Sequence, residues 1–256
     1  MKATLCIDDA VGEHRRALLD SSGKPFRLEI ECWSERGRRA KLDEVWWGRV
    51  KARMPGNRGW FIDLGLDADG VIEPTRAAAV TEGALLAVRV KSEAWADKGP
   101  LLSLADMSPT APRPEKPARH AAAKQDPFLR GVEIEVTITD ARRHLDEAIE
   151  EAGQRIHELK GGGDIAIDVT RGLTVIDVDS GGRVSGTDSE AFALGLNIAA
   201  AEEAARQIAL RGTGGLVAID FVGMQAAKSQ RKLAEAFRQA LTGRLGRVSD
   251  VLELSS

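Results

Sequence analysis

Cysteine is scarce in this sequence, with only Cys6 and Cys32 present. Two cysteines exclude a disulfide framework, and the chain has neither a C-x-x-C nor an H-E-x-x-H spacing. A zinc site built from a local motif is therefore not expected. Each cysteine is expected to be a small apolar residue that fills space in the core.

Long apolar runs are also missing. No stretch of 18 apolar residues occurs, so no segment is expected to span a membrane. The first residues, MKATLCIDDAVGEHRR, carry acidic side chains where a secretory signal needs an uninterrupted apolar segment. Hydrophobic residues make up 43% and charged residues 29%, which is typical of a soluble globular protein. We expect a cytoplasmic location.

The net charge of −3 hides an uneven distribution. Residues 1–127 carry a net charge of +2, and residues 128–256 carry −5. The basic excess concentrates in eight residues, Arg36, Arg38, Arg39, Lys41, Arg49, Lys51, Arg53 and Arg58. All five tryptophans (33, 46, 47, 60 and 95) lie in the first half. A basic stretch interleaved with aromatics can bind nucleic acid, but a solvated charged face above core tryptophans fits equally well.

The chain is expected to divide into four parts. Residues 108–127 hold five of the nine prolines and no apolar period, which predicts an extended linker. Before it, five short β segments separated by turn residues in 45–107 predict a small OB-type barrel. Residues 1–44 read as a β-hairpin segment of two strands. Residues 128–256 alternate strands and helices, which predicts an α/β region.

Within that α/β region the spacing of Leu145, Ile149, Ile156 and Leu159 predicts one helix over 141–159, with His144 and His157 on its surface. Two apolar strands, DIAIDVT and LTVIDVD, come next. A long helix over 189–210, the strand LVAIDFV and a basic amphipathic helix follow. The clusters GGG and GTGG lack the context of a phosphate loop and are read as turns.

Three aspartates form the candidate chemical site. Asp177 and Asp179 end the strand LTVIDVD, and Asp220 lies in LVAIDFV. Their spacing puts Asp177 and Asp179 on one strand face, and open α/β sheets bind ligands at the carboxyl ends of strands. If the two strands are neighbours, the carboxylates converge, and such a group suits Mg²⁺. The alternative is that these aspartates only cap turns, since Ser180, Gly181 and Gly182 follow.

Several stretches resemble the catalytic part of the ribonuclease E/G family. DIAIDVTRGLTVIDVDSGG is similar to its strand pair, and LGLNIAAAEEAARQIALRGTGGLVAIDFVGM is similar to its long helix, Gly-Gly turn and Ile-Asp-Phe strand. More loosely, WWGRVKARMPGNRGWFIDLGLDADGVIEP resembles its embedded OB-type domain. The resemblance implies an RNase H-like segment with an inserted OB-type barrel, followed by a DNase I-like α/β catalytic segment.

The same resemblance implies roles for individual residues. Asp177 and Asp220 match the aspartates that hold Mg²⁺, and Asp179 stands in place of an Asn that orients the scissile phosphate. Phe61 matches an aromatic that stacks on RNA, and Lys98 matches a basic RNA contact. The basic and aromatic residues expected to join them in binding RNA are Arg49, Lys51, Arg53, Arg58 and Trp60.

The sequence also departs from the family pattern. The segment between the linker and the catalytic part is too short for the family's sensor of a 5′-monophosphate. The zinc-linking C-x-x-C is missing, so no zinc-linked assembly is expected. Val71 stands where an aromatic is common, and Arg171 replaces a usual Glu.

Two hypotheses follow. The first is an Mg²⁺-dependent endoribonuclease that cleaves single-stranded RNA by attack of a metal-activated water, leaving 5′-phosphate and 3′-hydroxyl ends. The second is an RNA-binding protein with weak or no nuclease activity. A phosphotransferase that binds no nucleic acid lacks its motif. The oligomeric state stays open.

Overall fold

The computed structural model describes residues 1–73, 80–94, 98–106, 113–182, 189–246 and 251. The chain divides into two compact units. The first unit combines Met1–Glu31 with Phe128–Ser256, and the second is Cys32–Pro127. None of the helices in the described ranges is both long and apolar enough to cross a bilayer.

The strands of the described ranges are, in chain order, β1 (Lys2–Ala10), β2 (Glu13–Leu19), β3 (Pro25–Cys32), β4 (Val45–Arg53), β5 (Trp60–Asp63), β6 (Gly70–Ile72), β7 (Leu85–Ser92), β8 (Leu101–Leu104), β9 (Ala118–Ala121), β10 (Glu133–Ile138), β11 (Ile156–Glu158), β12 (Asp164–Val169), β13 (Leu173–Asp179) and β14 (Leu216–Asp220). The helices are α1 (Arg142–Gly153), α2 (Ser189–Leu210) and α3 (Ala227–Leu245).

The first unit contains a four-stranded sheet in the order β10-β1-β2-β3. β1 pairs with β2 antiparallel and with β10 parallel. Cys6, Ala17 and Leu19 alternate toward α1, where they pack with Leu145 and Ala148. Cys6 is fully buried, as a cysteine in a core would be. The segment expected to be the second strand of a hairpin is two strands, because Asp20 accepts hydrogen bonds from the backbone of Ser22 and Lys24 and closes a turn between β2 and β3.

The second sheet of this unit carries the three candidate aspartates. Its order is β11-β12-β13-β14, with β13 and β14 parallel and the other neighbours antiparallel. α2 connects β13 to β14 as a crossover, and α2 and α3 cover one face. The core between this face and the helices contains Ile165, Ile167, Ile176, Val178, Leu196, Ala200, Ala204, Ala205 and Ile208. Alternating apolar positions in DIAIDV and LTVIDVD supply the sheet side of that core.

The predicted helix over 141–159 is shorter than expected. α1 ends at Gly153, and Ile156–Glu158 pair instead with β12 as strand β11. His157 therefore lies on a strand and not on a helix surface, and only 6% of it is exposed. The apolar spacing of Ile156 and Leu159 continues the helical period, but tertiary pairing with Ala166 and Asp164 decides the conformation.

The second unit is a closed barrel. Its strands run in the order β5-β6-β8-β7-β4, and a β5–β4 pairing closes the ring. This five-stranded barrel fits the OB-type architecture predicted from the sequence. The side chains that fill it include Trp46, Val50, Ile62, Leu64, Ile72, Val88, Val90 and Leu102. Gly48 on β4 leaves room for Ile62, since a Cβ there would stand 2.3 Å from the Ile62 side chain.

The predicted linker contains a further strand. Ala118–Ala121 form β9, which pairs antiparallel with β4 at Val45, Trp46 and Trp47. Residues 108–112 of the predicted linker lie outside the described ranges. The boundaries drawn at residues 44, 107 and 127, and the assignment of RNase H-like and DNase I-like segments, stay predictions.

Candidate active site

β13 and β14 bring two of the three aspartates side by side. The register of these parallel strands pairs the Cα atoms of Asp177 and Asp220. Because paired residues on neighbouring strands share a face of the sheet, both carboxylates lie on the same side. Ile176 and Ile219, one position earlier on each strand, point to the opposite side and pack with the helices. The site is thus placed by the same alternation that builds the core.

Both carboxylates are available to a ligand. Asp177 and Asp220 are exposed, and neither forms a hydrogen bond or an ion pair with any residue that the structure describes. Two adjacent carboxylates repel each other unless a cation or a shared proton relieves them. Their oxygen atoms are the ligand type that Mg²⁺ prefers. The donor set therefore fits a hard divalent cation.

Asp179 lies on the same face, at the end of β13. Its Oδ1 accepts a hydrogen bond of 2.8 Å from the backbone N–H of Gly181, so this aspartate caps the turn that follows. Across the sheet it stands opposite Asp164 of β12. The backbone is tightly packed here, because a Cβ at Gly163 would stand 2.4 Å from the Asp179 carbonyl oxygen, and Gly163 has a φ of +80°. The turn-capping alternative thus holds for Asp179.

The face that carries the aspartates is called the outer face of the second sheet. Its residues follow from the strand registers: Ile156 and Glu158 on β11; Asp164, Ala166 and Asp168 on β12; Leu173, Val175, Asp177 and Asp179 on β13; and Leu216, Ala218 and Asp220 on β14. One row across the four strands reads Ile156, Ala166, Asp177 and Asp220. The outer face is therefore strongly acidic at its Asp177 end.

The chain that follows Asp220 is anchored by α2. The buried Asn197 side chain donates to the Val222 carbonyl at 2.7 Å and accepts from the Val222 N–H at 3.0 Å. Glu190 accepts hydrogen bonds from the backbone N–H groups of Gln225 and Ala226. These backbone bonds, with one from the Ser229 side chain, lower the pKa of Glu190. Both anchors were missed in the sequence, although a lone Asn in an alanine-rich helix is a recognisable signal.

A second group of potential metal ligands lies inside the first unit. Glu151, His157 and Glu203 bring ligand atoms within 4.8 Å of one another. Arg206, itself buried, donates to both carboxylates, at 2.5 Å in the case of Glu203. Burial lowers the pKa of His157, and burial opposes ionisation of Glu203, but bonding to Arg206 lowers the pKa of Glu203 overall. Because the buried Arg206 guanidinium already binds both carboxylates, this cluster fits a structural network better than a cation site.

The predicted RNA-binding aromatics lie on the barrel. Phe61 is half-buried on β5, and strand register places it beside Val71 of β6, which in turn pairs with Leu101 of β8. Leu101 is 36% exposed, so an apolar row crosses three strands. Trp60 packs against the barrel core, and the Arg53 guanidinium lies 5.6 Å from its ring centroid.

The predicted RNA-binding cations differ in what they contact. Arg49 donates to the carbonyls of Gly83 and Glu115 at 3.0 and 2.8 Å, and Lys51 pairs with Asp69 at 2.8 Å, which raises the pKa of Lys51. Arg58 and Lys98 are exposed and form no ion pair within the described ranges. As far as the described residues go, the donors of these two side chains are available to a phosphate.

The tryptophans divide between core and surface. Trp46 and Trp47 are buried, so the core alternative holds for both, whereas Trp33 is 49% exposed beneath the Arg36 guanidinium. Trp95 lies outside the described residues.

Comparison with known proteins bears on the same residues. The model of the family described as "Ribonuclease E/G family" matches residues 117–255, just over half of the chain. A ribonuclease E of Haemophilus influenzae is 39% identical over 130 residues, which cover 50% of this chain and 14% of that protein. A ribonuclease E of Escherichia coli is 42% identical over 97 residues, covering 38% of this chain and 9% of that protein.

A ribonuclease G of Salmonella typhimurium is 34% identical over 98 residues, which cover 38% of this chain and 20% of that protein. The matched stretches thus span a fifth or less of each of these relatives. The family match includes Asp177, Asp179 and Asp220, and it begins after most of the barrel.

Proposed function

Because the chain belongs to the ribonuclease E/G family, as its motifs predicted, we propose that it is an Mg²⁺-dependent endoribonuclease that cleaves single-stranded RNA. The observation that carries this proposal is the register of Asp177 with Asp220 on the exposed outer face of the second sheet. Two free carboxylates on neighbouring strands form an oxygen-only donor pair that is open to a substrate. The RNase H-like and DNase I-like assignments within the first unit belong to the same proposal.

Each residue of the site has a separate task in this proposal. Asp177 and Asp220 hold Mg²⁺, which when bound supplies an activated water and stabilises the charge that develops on the phosphate. Asp179, on the same face, would offer its second carboxylate oxygen as a third, water-mediated ligand of the cation, while the first oxygen caps the turn. Asn197 fixes the backbone after Asp220, so that the strand end keeps its position.

The barrel supplies binding in this proposal. The Phe61 ring offers a surface on which a base can stack, a contact worth about 1–3 kcal/mol. Val71 and Leu101 extend the apolar row beside it. Lys98 and Arg58 are exposed, and their donors bind no acceptor within the described ranges, so they can bind the RNA backbone. Arg49 and Lys51 would have to exchange protein partners for phosphates, so they contribute less.

The test uses the full chain and a labelled single-stranded RNA, with Mg²⁺ or with EDTA. Asp177→Asn and Asp220→Asn should each lower the cleavage rate by about 100-fold or more, since Mg²⁺ supplies several kcal/mol of transition-state stabilisation. Asp146→Asn, at an exposed aspartate on α1, is the control and should cleave at the wild-type rate. The products should carry 5′-phosphate and 3′-hydroxyl ends. Cleavage that survives both active-site substitutions would refute the proposal.

One observation favours a second candidate function. The Asp179 side chain caps a turn, which leaves it less available as a third ligand of the cation. RNA binding by the apolar row on the barrel does not depend on Asp179. The chain would then be an RNA-binding protein with weak or no nuclease activity. RNA binding without any Mg²⁺-dependent cleavage in the same experiment would support this candidate over the nuclease.

A further inference from the structure

A bidentate ion pair lies beside the aspartates on the outer face of the second sheet. Arg155, directly before β11, donates from Nε and Nη2 to the two carboxylate oxygens of Asp168 on β12, at 2.7 and 2.6 Å. The Arg155 carbonyl also accepts a hydrogen bond from the Ile167 N–H, so the backbone at Arg155 is tied to β12. Both side chains are more than half exposed. Exposed ion pairs add little to the free energy of unfolding, so a stabilising role does not account for this ion pair.

The pair stands next to Asp177. Asp168 lies opposite Val175, two positions before Asp177 on β13, and Ala166 lies opposite Asp177 itself. Ala166 offers only a methyl group, so no long side chain on β12 separates the Arg155 guanidinium from the Asp177 carboxylate. Hydrogen bonding to Asp168 and its charge raise the pKa of Arg155, and the charge of Asp177 adds to this effect.

The guanidinium has unused donors. Only Nε and Nη2 bind Asp168, and the Nη1 group makes no hydrogen bond with any residue in the described ranges. A guanidinium is always charged and its planar donors match phosphate oxygens. The carboxylates of Asp177, Asp179 and Asp220 repel an RNA backbone. A fixed cation at this edge of the sheet attracts a phosphate and offsets that repulsion.

We propose that Arg155 is a phosphate-binding residue of the active site, which contacts a nonbridging oxygen of the RNA beside Asp177 and Asp220. Asp168 is its positioning residue, since it fixes the orientation of the guanidinium and leaves one edge free. This inference rests on the proposed function. It adds a cation beside an outer face on which the polar side chains of the described strands are all acidic.

The experiment compares Arg155→Met, Arg155→Lys and Asp168→Asn with a matched control, Arg143→Met. Arg143 is an exposed arginine on α1 that pairs with Glu147 at 2.9 Å, on a different surface of the same unit. Arg155→Met should lower kcat for Mg²⁺-dependent cleavage by about 100-fold, the usual loss for one donor to a developing negative charge. Arg155→Lys should recover part of the lost kcat, and Arg143→Met should have the kcat of the wild type. The unfolding midpoints should differ little among the variants.

A binding measurement separates this inference from the proposed function. In an Asp177→Asn background, which cannot cleave, RNA affinity is measured against salt concentration. Removing one phosphate contact should reduce the slope of log K against log salt by about 0.7. Failure of the wild type to cleave would refute the nuclease proposal. The salt slope would then show by itself whether Arg155 contacts a phosphate. A slope and a kcat for Arg155→Met equal to those of Arg143→Met would overturn the inference.

Discussion

Asn197 of α2 forms two hydrogen bonds with the backbone of Val222, one to its carbonyl and one from its N–H. Val222 follows Asp220 by two residues, so the helix that crosses from β13 to β14 also fixes the chain that leaves the site. Asn197 is fully buried, and a polar side chain in the core needs such partners.

Asn197→Ala should therefore destabilise the protein and disturb the site. Loss of the amide leaves the backbone groups of Val222 without these partners, which costs about 1–3 kcal/mol in the free energy of unfolding. Urea denaturation measures this loss, and cleavage at a temperature below the transition reports on the position of Asp220. Gly195→Ala, on the exposed side of the same helix with no atom near its Cβ position, is the control and should stabilise by about 0.5–1 kcal/mol. An Asn197→Ala variant as stable as the wild type would contradict this view.

Phe61→Ala should weaken the binding of single-stranded RNA. The ring lies in the apolar row on the barrel, and loss of one base–aromatic contact costs about 1–3 kcal/mol, or roughly 5- to 150-fold in Kd. Fluorescence anisotropy with a labelled RNA measures the change. Phe192→Ala removes a phenylalanine of α2 that is 37% exposed and should leave Kd unchanged. Equal Kd values for the two variants would mean that the barrel row does not stack on bases.

The sequence predicts the part of this molecule in which local pattern and tertiary contacts agree. The alternation in TVIDVD and LVAID predicts strands with an apolar side and an acidic side, and β13 and β14 follow that pattern. α2 spans the residues expected from its spacing. At these elements the hydrophobic period of the strand or helix matches the face that packs in the core.

The remaining features depend on partners that are distant in sequence. Ile156 continues the helical period of α1, but its pairing with Ala166 makes it a strand. β9 forms in a proline-rich segment because β4 offers it an edge. Arg155 and Asp168 are unremarkable in the sequence, and only the hairpin between β11 and β12 brings them together beside Asp177. Local composition contains no information about such pairings.

Asp164→Asn should stabilise the protein in EDTA at low salt. Asp164 lies directly opposite Asp179, and like charges in this arrangement repel. Removing one charge should raise the free energy of unfolding by about 0.2–1 kcal/mol, the size of a cross-strand charge effect. Asp168→Asn, on the same strand, removes the partner of Arg155 and should not stabilise. Urea denaturation measures the free energy of unfolding of both variants. If Asp164 had a stabilising contact, Asp164→Asn would be no more stable than Asp168→Asn, which would contradict the prediction.

His157 should make the stability of the first unit depend on pH. Burial lowers the pKa of this imidazole in the folded state, and it outweighs the Glu203 charge and the hydrogen bond with the Gln154 carbonyl, which raise the pKa. The Arg211 and Arg206 charges also lower it. The unfolded chain then binds a proton more readily than the folded one, with an ordinary pKa of about 6.5. The contribution of the neutral ring is therefore fully present above about pH 6.5 and is lost as the pH falls toward the folded value.

His157→Gln removes this titration and isolates its effect. The free energy of unfolding of the wild type should fall relative to that of the variant below about pH 6.5, by at most about 1.4 kcal/mol per pH unit. The carboxylates titrate in both proteins. The difference between the two curves of unfolding free energy against pH therefore reports on His157 alone. Urea denaturation at pH values from about 7.5 down to 5 measures it. A difference that stays constant across this range would show that the ring titrates alike in the folded and unfolded chains, and that burial beside Gln207 and Arg211 does not disfavour its charged form.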